Sequence, residues 1–83
     1  MNDFVEDAAR IRWRCRRGVK ELDVLLEQFV VECLPRLSLE HTRILDRLLD
    51  EADLDLLDWI IGRNPPRAPE YLPLLQMLRG LGR

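Results

Sequence analysis

The chain has 83 residues, which limits it to one compact domain, residues 1–83, and excludes a Rossmann unit with a substrate domain, a barrel or a two-domain hydrolase. With 47% apolar and 34% charged residues, a packed core is expected and disorder is not forced. Thirteen basic against 15 acidic residues leave a net charge of −2, which argues against a general nucleic-acid binder.

Apolar spacing is helical nearly throughout, with no run of period two long enough for a strand. In the first helix Phe4, Ala8, Ile11 and Cys15 recur at steps of four, three and four. Asn2 or Asp3 is positioned to cap it, and Glu6 and Asp7 fall in its positive first turn. Arg14, Arg16 and Arg17 fall in its last turn, and Gly18 follows where a left-handed residue closes a helix. A second helix is expected from Val19 to about Cys33, with an inward stripe of Leu22, Leu25, Leu26, Phe29, Val30 and Cys33. Pro35 stops it. Ser38 is a good cap for a third helix reaching about Asp50, with Ile44, Leu45, Leu48, Leu49 and Ala52 inward. Asp53 is placed to cap a fourth, from Leu54 to Ile61, closed by Gly62. Its stripe reads Leu54, Leu57, Ile60 and Ile61, with Trp59 at the edge and partly buried. Asn64-Pro65-Pro66 imposes an extended linker. A last helix starts near Tyr71 and Leu72 and holds Leu74, Leu75, Met77, Leu78 and Leu81. Five helices with short connections predict an all-α fold, a small antiparallel five-helix bundle.

The near-zero total charge conceals segregation. Residues 1–20 carry net +3, residues 21–37 net −3, residues 38–62 net −5 and residues 63–83 net +3. No apolar run reaches the ~18 residues of a membrane span. The N-terminal residues, acidic and without an apolar stretch, read as neither a secretory signal nor a transit peptide. A cytoplasmic bacterial setting without membrane attachment is therefore expected. Two cysteines are too few for a disulfide scaffold. If the first two helices form a hairpin about Gly18, Cys33 lies about 22 Å beyond the turn, so the pair is expected reduced. One histidine, His41, and two separated cysteines make no zinc site. There is no Ser/His/Asp set, glycine-rich phosphate loop or metal triad, so no enzyme activity is expected.

The first helix carries the functional signal. At 100° per residue, Phe4, Ala8, Ile11 and Cys15 span about 60°. Arg10, Arg14 and Arg17 cluster on nearly the opposite side, and Trp13 lies well off the core stripe. Two placements are open for Trp13. Either it shares an exposed face with guanidiniums, the chemistry of a protein-interface hot spot, or it packs on another helix. The corner Arg17-Gly18-Val19-Lys20-Glu21-Leu22-Asp23 is equally double-edged. Gly18 ends one helix and Glu21 supplies a carboxylate to the first turn of the next. Functionally, the bare glycine allows close approach, with Arg17 and Glu21 flanking a docking notch.

The run Arg10-Ile11-Arg12-Trp13-Arg14-Cys15-Arg16-Arg17-Gly18-Val19-Lys20-Glu21-Leu22-Asp23 resembles the signature of the SdhE family of succinate dehydrogenase flavinylation factors. That family carries an R-G-x-x-E motif after an R-I-x-W-x-C-R stretch. Asp53-Leu54-Asp55-Leu56-Leu57-Asp58-Trp59 is similar to its D-x-D-L-x-x-W segment. Pro69 and Pro73 interrupt a last helix that is usually more regular. The resemblance implies a five-helix fold and an accessory role. It implies binding to the flavoprotein subunit of succinate dehydrogenase, and often of fumarate reductase, with promotion of covalent FAD attachment to a histidine there. FAD would be the client's cofactor, with none bound tightly by this chain. By position, Arg17, Gly18 and Glu21 match the partner-binding motif, and Arg10, Trp13, Asp23 and Trp59 match further family residues, Asp23 with a structural role as its alternative. A monomer is expected. Against this stand an antitoxin-like regulatory interaction module and a nucleic-acid binder using the arginine-rich helix. The acids of the second helix and the −2 balance disfavour the latter.

Overall fold

The computed structural model describes residues 3–81, with side chains from Ala8 to Leu81. The proposed caps and first-turn acids at Asn2, Asp3, Glu6 and Asp7, and the inward Phe4 side chain, lie outside the described residues or side chains. Five helices follow in order: α1 (Asp3–Arg14), α2 (Lys20–Glu32), α3 (Leu39–Leu48), α4 (Asp53–Ile61) and α5 (Leu72–Leu81). Short 3-10 turns at Leu34–Arg36 and Pro69–Tyr71 lead into α3 and α5. Each turn has its proline in the first positions, where a missing N–H costs nothing. No strand occurs among the described residues.

Helix α5 is the centre of the packing, with α2 and α4 both laid against it. Leu74, Leu75 and Leu78 of α5 meet Leu22, Leu26 and Phe29 of α2 and Leu45 and Leu48 of α3 in one buried cluster. Each such side chain removed from water stabilises the fold by about 1.5–3 kcal/mol before entropy is counted. Ile11 and Cys15 bring α1 to the same core. The cysteines are free: Cys15 is buried and Cys33 half-buried.

Helix ends follow the residues that satisfy their open backbone groups. Ser38 Oγ accepts the His41 N–H at 3.0 Å and starts α3. Gly62, at φ +84°, closes α4, and the Arg63 N–H returns to the Asp58 carbonyl at 2.9 Å. Arg79 from α5 then donates to the Ile60 carbonyl at 2.7 Å and the Trp59 carbonyl at 2.9 Å.

Three expectations are corrected. First, α1 ends at Arg14 rather than reaching Arg17, because the Asp23 carboxylate captures the backbone N–H groups of Arg17 and Gly18. Second, α4 is rotated: Leu56, Trp59 and Ile60 are buried, while Leu54 and Ile61 are 77% and 56% exposed. Apolar residues cover more than half the circumference of this helix, so composition alone does not fix its phase. The stacking of Trp59 on Tyr71 does, with ring centroids 6.1 Å apart. Third, Ala52 is exposed as the residue preceding α4, and Met77 is 38% exposed. No helix among the described residues is long and apolar enough to cross a membrane.

Candidate functional site: the corner between α1 and α2

The corner is built by Asp23. Its Oδ1 accepts the Arg17 N–H at 2.8 Å and its Oδ2 the Gly18 N–H at 3.1 Å. Two backbone donors on one carboxylate pin the turn from the first turns of α2. Gly18 sits at φ +86°, and a Cβ built there would meet nothing within 4 Å. Glycine is therefore needed for its backbone conformation, not for lack of room. Asp23 thus has the structural role, and the sequence match to a partner-binding position has this second explanation.

Arg17 is turned inward, with its side chain 15% exposed. Its guanidinium donates from Nε to Asp53 Oδ1 at 2.6 Å, and from its two terminal nitrogens to the carbonyls of Leu49 at 2.5 Å and Glu51 at 2.6 Å. The planar fork closes the end of α3 and the turn into α4. Asp53 accordingly serves Arg17, and no side chain caps α4. Arg10 and Arg14 are engaged likewise. Arg10 Nη1 donates to both oxygens of Asp46 at 2.9 Å. Arg14 reaches the Asp46 carbonyl at 2.9 Å and the carboxylates of Asp46 and Asp50. The partners advance together, Arg10 to Asp46, Arg14 to Asp50, Arg17 to Asp53, so α1 runs parallel to the α3–α4 strip. The arginines expected on a free surface are the rivets of α1.

The opposite side of α1 is different. Trp13 is 71% exposed, which decides between its two placements, and the Arg16 guanidinium lies 5.7 Å from its ring centroid. Beside them a groove of about 660 Å3 runs between α1 and α2 and takes in Gly18. Arg12 of α1 and Arg16 just beyond it line one side, Asp23 and Glu27 of α2 the other, with the buried Cys15 and Val30 as its floor. Burial pushes the Cys15 thiol from its ordinary 9.0 up to about 11, against the smaller pull of Arg17 and Arg14. It is therefore a neutral, unreactive floor at neutral pH.

The notch expected between Arg17 and Glu21 is thus replaced. Neither residue lines the groove. Glu21 is exposed, about 160° around α2 from Asp23. Trp59 is 6% exposed, fully inside where partial burial was expected, and it meets Tyr71 rather than solvent. Sequence reasoning overlooked Arg12, Glu27 and Val31. The signal was present: Asp23, Glu27 and Val31 recur at i, i+4 and i+8 along one side of α2. No group of three or more histidine, cysteine or acidic side chains among the described residues is arranged to hold a metal.

The model of the family described as "Flavinator of succinate dehydrogenase" matches residues 9–81. Several curated relatives bear the name FAD assembly factor SdhE. That of Coxiella burnetii is 39% identical over 72 residues, covering 87% of this chain and 88% of its own. That of Vibrio vulnificus is 47% identical over 59 residues, covering 71% and 69%. That of Shewanella oneidensis is 40% identical over 72 residues, covering 87% and 88%.

Proposed function

The chain belongs to the family of flavinators of succinate dehydrogenase, and from that premise we propose that it binds the flavoprotein subunit of succinate dehydrogenase and promotes covalent attachment of FAD to it. The observation that carries the reading is the family match across residues 9–81. The flavoprotein of fumarate reductase is a second client in this reading, and the chain works as a monomer.

The chemistry belongs to the client and its flavin. This chain contributes binding that holds parts of the client in the orientation attachment requires, a positioning effect. A rigid corner suits that task. Arg17, Asp53 and Asp23 tie the Gly18 turn to α2 and to the α3–α4 turn, so little order has to be gained on binding. Trp13 and Arg16 offer an exposed aromatic–cation pair at its edge. Gly18 leaves the backbone approachable.

The test is in-gel flavin fluorescence of the succinate dehydrogenase flavoprotein in cells lacking the gene. Covalent flavin is expected to fall and to return with the wild-type gene. The Gly18→Arg variant is expected to fold, at a backbone cost of about 1–2 kcal/mol, yet fail to restore it. Undiminished covalent flavin in the deletion strain would refute the reading. Full rescue by Gly18→Arg would move the binding surface away from the corner.

A further inference from the structure

The groove between α1 and α2 is electrically two-sided. Arg12 and Arg16 stand on one wall and Glu27, with the engaged Asp23, on the other. Arg12, Arg16 and Glu27 are all exposed. Among the described residues, neither Arg12 nor Glu27 is held in an ion pair. Asp23 spends its two oxygens on the backbone of Arg17 and Gly18, which leaves Glu27 as the available carboxylate. Between the walls the floor is apolar, from Cys15 at 4% to Val30 at 3% exposure, and it leads to Val31, which is 69% exposed.

We infer that this groove receives a segment of the flavoprotein partner bearing an acidic side chain, an apolar one and a basic one in that order across its width. The inference rests on the function proposed above and adds the chemistry of what is bound. The acidic group meets Arg12 and Arg16, the basic group meets Glu27, and the apolar one covers Cys15 and Val30. A uniformly acidic segment, or a phosphate backbone, would be repelled by Glu27. A uniformly basic one would be repelled by Arg12 and Arg16. Complementary charges on two walls also fix which way round the segment lies, a property that net charge alone does not confer.

The experiment is affinity measurement between purified chain and purified flavoprotein, with four forms: wild type, Arg12→Glu, Glu27→Arg and the double variant carrying both changes. The double variant keeps the net charge and the residue types but reverses the walls at these two positions. Each single variant is expected to bind about tenfold or more weakly, and the double variant is expected to stay as weak as the singles. Thermal melts of all forms should agree, since these side chains are exposed. Should reversal unfold the chain, Arg12→Gln and Glu27→Gln each remove one wall's charge, and unchanged affinity in both would overturn the proposal. Recovery of wild-type affinity in the double variant would overturn the two-walled groove while leaving the proposed function intact. So would unchanged affinity in the single variants. A wild-type dimer that the double variant abolishes would assign the groove to a second copy and overturn the proposal. Absence of any binding by the wild-type chain would overturn the proposed function, and this assignment with it.

Discussion

Helix α1 and the residues just after it present two arginine faces with opposite fates. Arg10, Arg14 and Arg17 reach across to Asp46, Asp50 and Asp53 and to carbonyls at the end of α3. Arg12 and Arg16 look the other way, onto a groove and an exposed tryptophan. Composition treats these five residues alike. Their difference comes from helical phase and from where the acceptors stand. The inward set faces a strip of α3 and α4 carrying three aspartates and open helix-end carbonyls. The outward set faces α2, where the Asp23 carboxylate is already taken by the corner's backbone. A cluster of arginines in sequence is therefore not one surface. The first set holds α1 in place, and the second lines the groove proposed above for recognition.

Arg17→Ala and Arg16→Ala should separate the two faces most sharply. Loss of Arg17 strands two carbonyls and Asp53 in a site where the arginine is only 15% exposed. Destabilisation of about 2–4 kcal/mol is expected, or a Tm lower by about 10–25 °C. Arg17→Lys should recover little, because an ammonium does not reproduce the planar fork. Arg16→Ala should stay within about 0.5 kcal/mol. Equal melting temperatures for the two alanine variants would erase the distinction between the faces.

Cys15 lies between those faces and titrates accordingly. Its thiol is raised from 9.0 to about 11 by burial. The folded state holds its proton more tightly than the unfolded one. The resulting stability is full below pH 9 and is lost as the pH rises through 11, amounting to about 2–3 kcal/mol. Denaturant unfolding of wild type and Cys15→Ala from pH 8 to 11 should show a steeper decline in the wild type. Parallel slopes would mean that Cys15 is not buried by α1 as the riveted face requires.

Much of this was legible beforehand. Stripes at Leu22, Leu26, Phe29 and Leu45, Leu48 gave α2 and α3 their inward sides, and Ser38, Pro35 and Gly62 marked boundaries by mechanisms that operate within a few residues. The failures come from side chains on other elements. The phase of α4 and the destination of Arg17 are set by partners well along the chain, Tyr71 for Trp59 and Asp53 for Arg17, and the early end of α1 by a side chain of the next helix, Asp23, five and six residues from the backbone it holds. The corner that carries Gly18 was legible, but the lining of the groove beside it was not. Local patterning identified Gly18 as special and could not say that Arg17 would be pulled 36 residues away.

A weaker rivet tests the same face at its solvent end. Arg10 is 50% exposed beside Asp46, so screening reduces its worth. Arg10→Gln is expected to cost about 0.5 kcal/mol near 0.1 M salt, shrinking toward zero at 1 M as the Debye length falls from about 10 to 3 Å. A cost independent of salt would point to packing of the arginine stem rather than to the ion pair.

A small expected effect on stability is also the most informative about recognition. Trp13 is 71% exposed and its ring meets the Arg16 guanidinium. That contact lies at the surface and contributes about 0.5–1 kcal/mol at most. Trp13→Ala should therefore melt within about 1 kcal/mol of the wild type, whereas a tryptophan packed in the core would cost about 3–5 kcal/mol. Its effect on the client should be far larger. An exposed tryptophan that becomes covered in a complex is a frequent hot spot, and its removal costs 2 kcal/mol or more, about thirtyfold in Kd. Thermal melting and flavoprotein affinity, measured on one variant, should then move by very different amounts. If both move little, the outward side of α1 is merely solvated, and recognition lies elsewhere on the molecule. If affinity collapses while the melt holds, the second arginine face is where the client is met, and the rivets at Arg10, Arg14 and Arg17 are what keep that face in position.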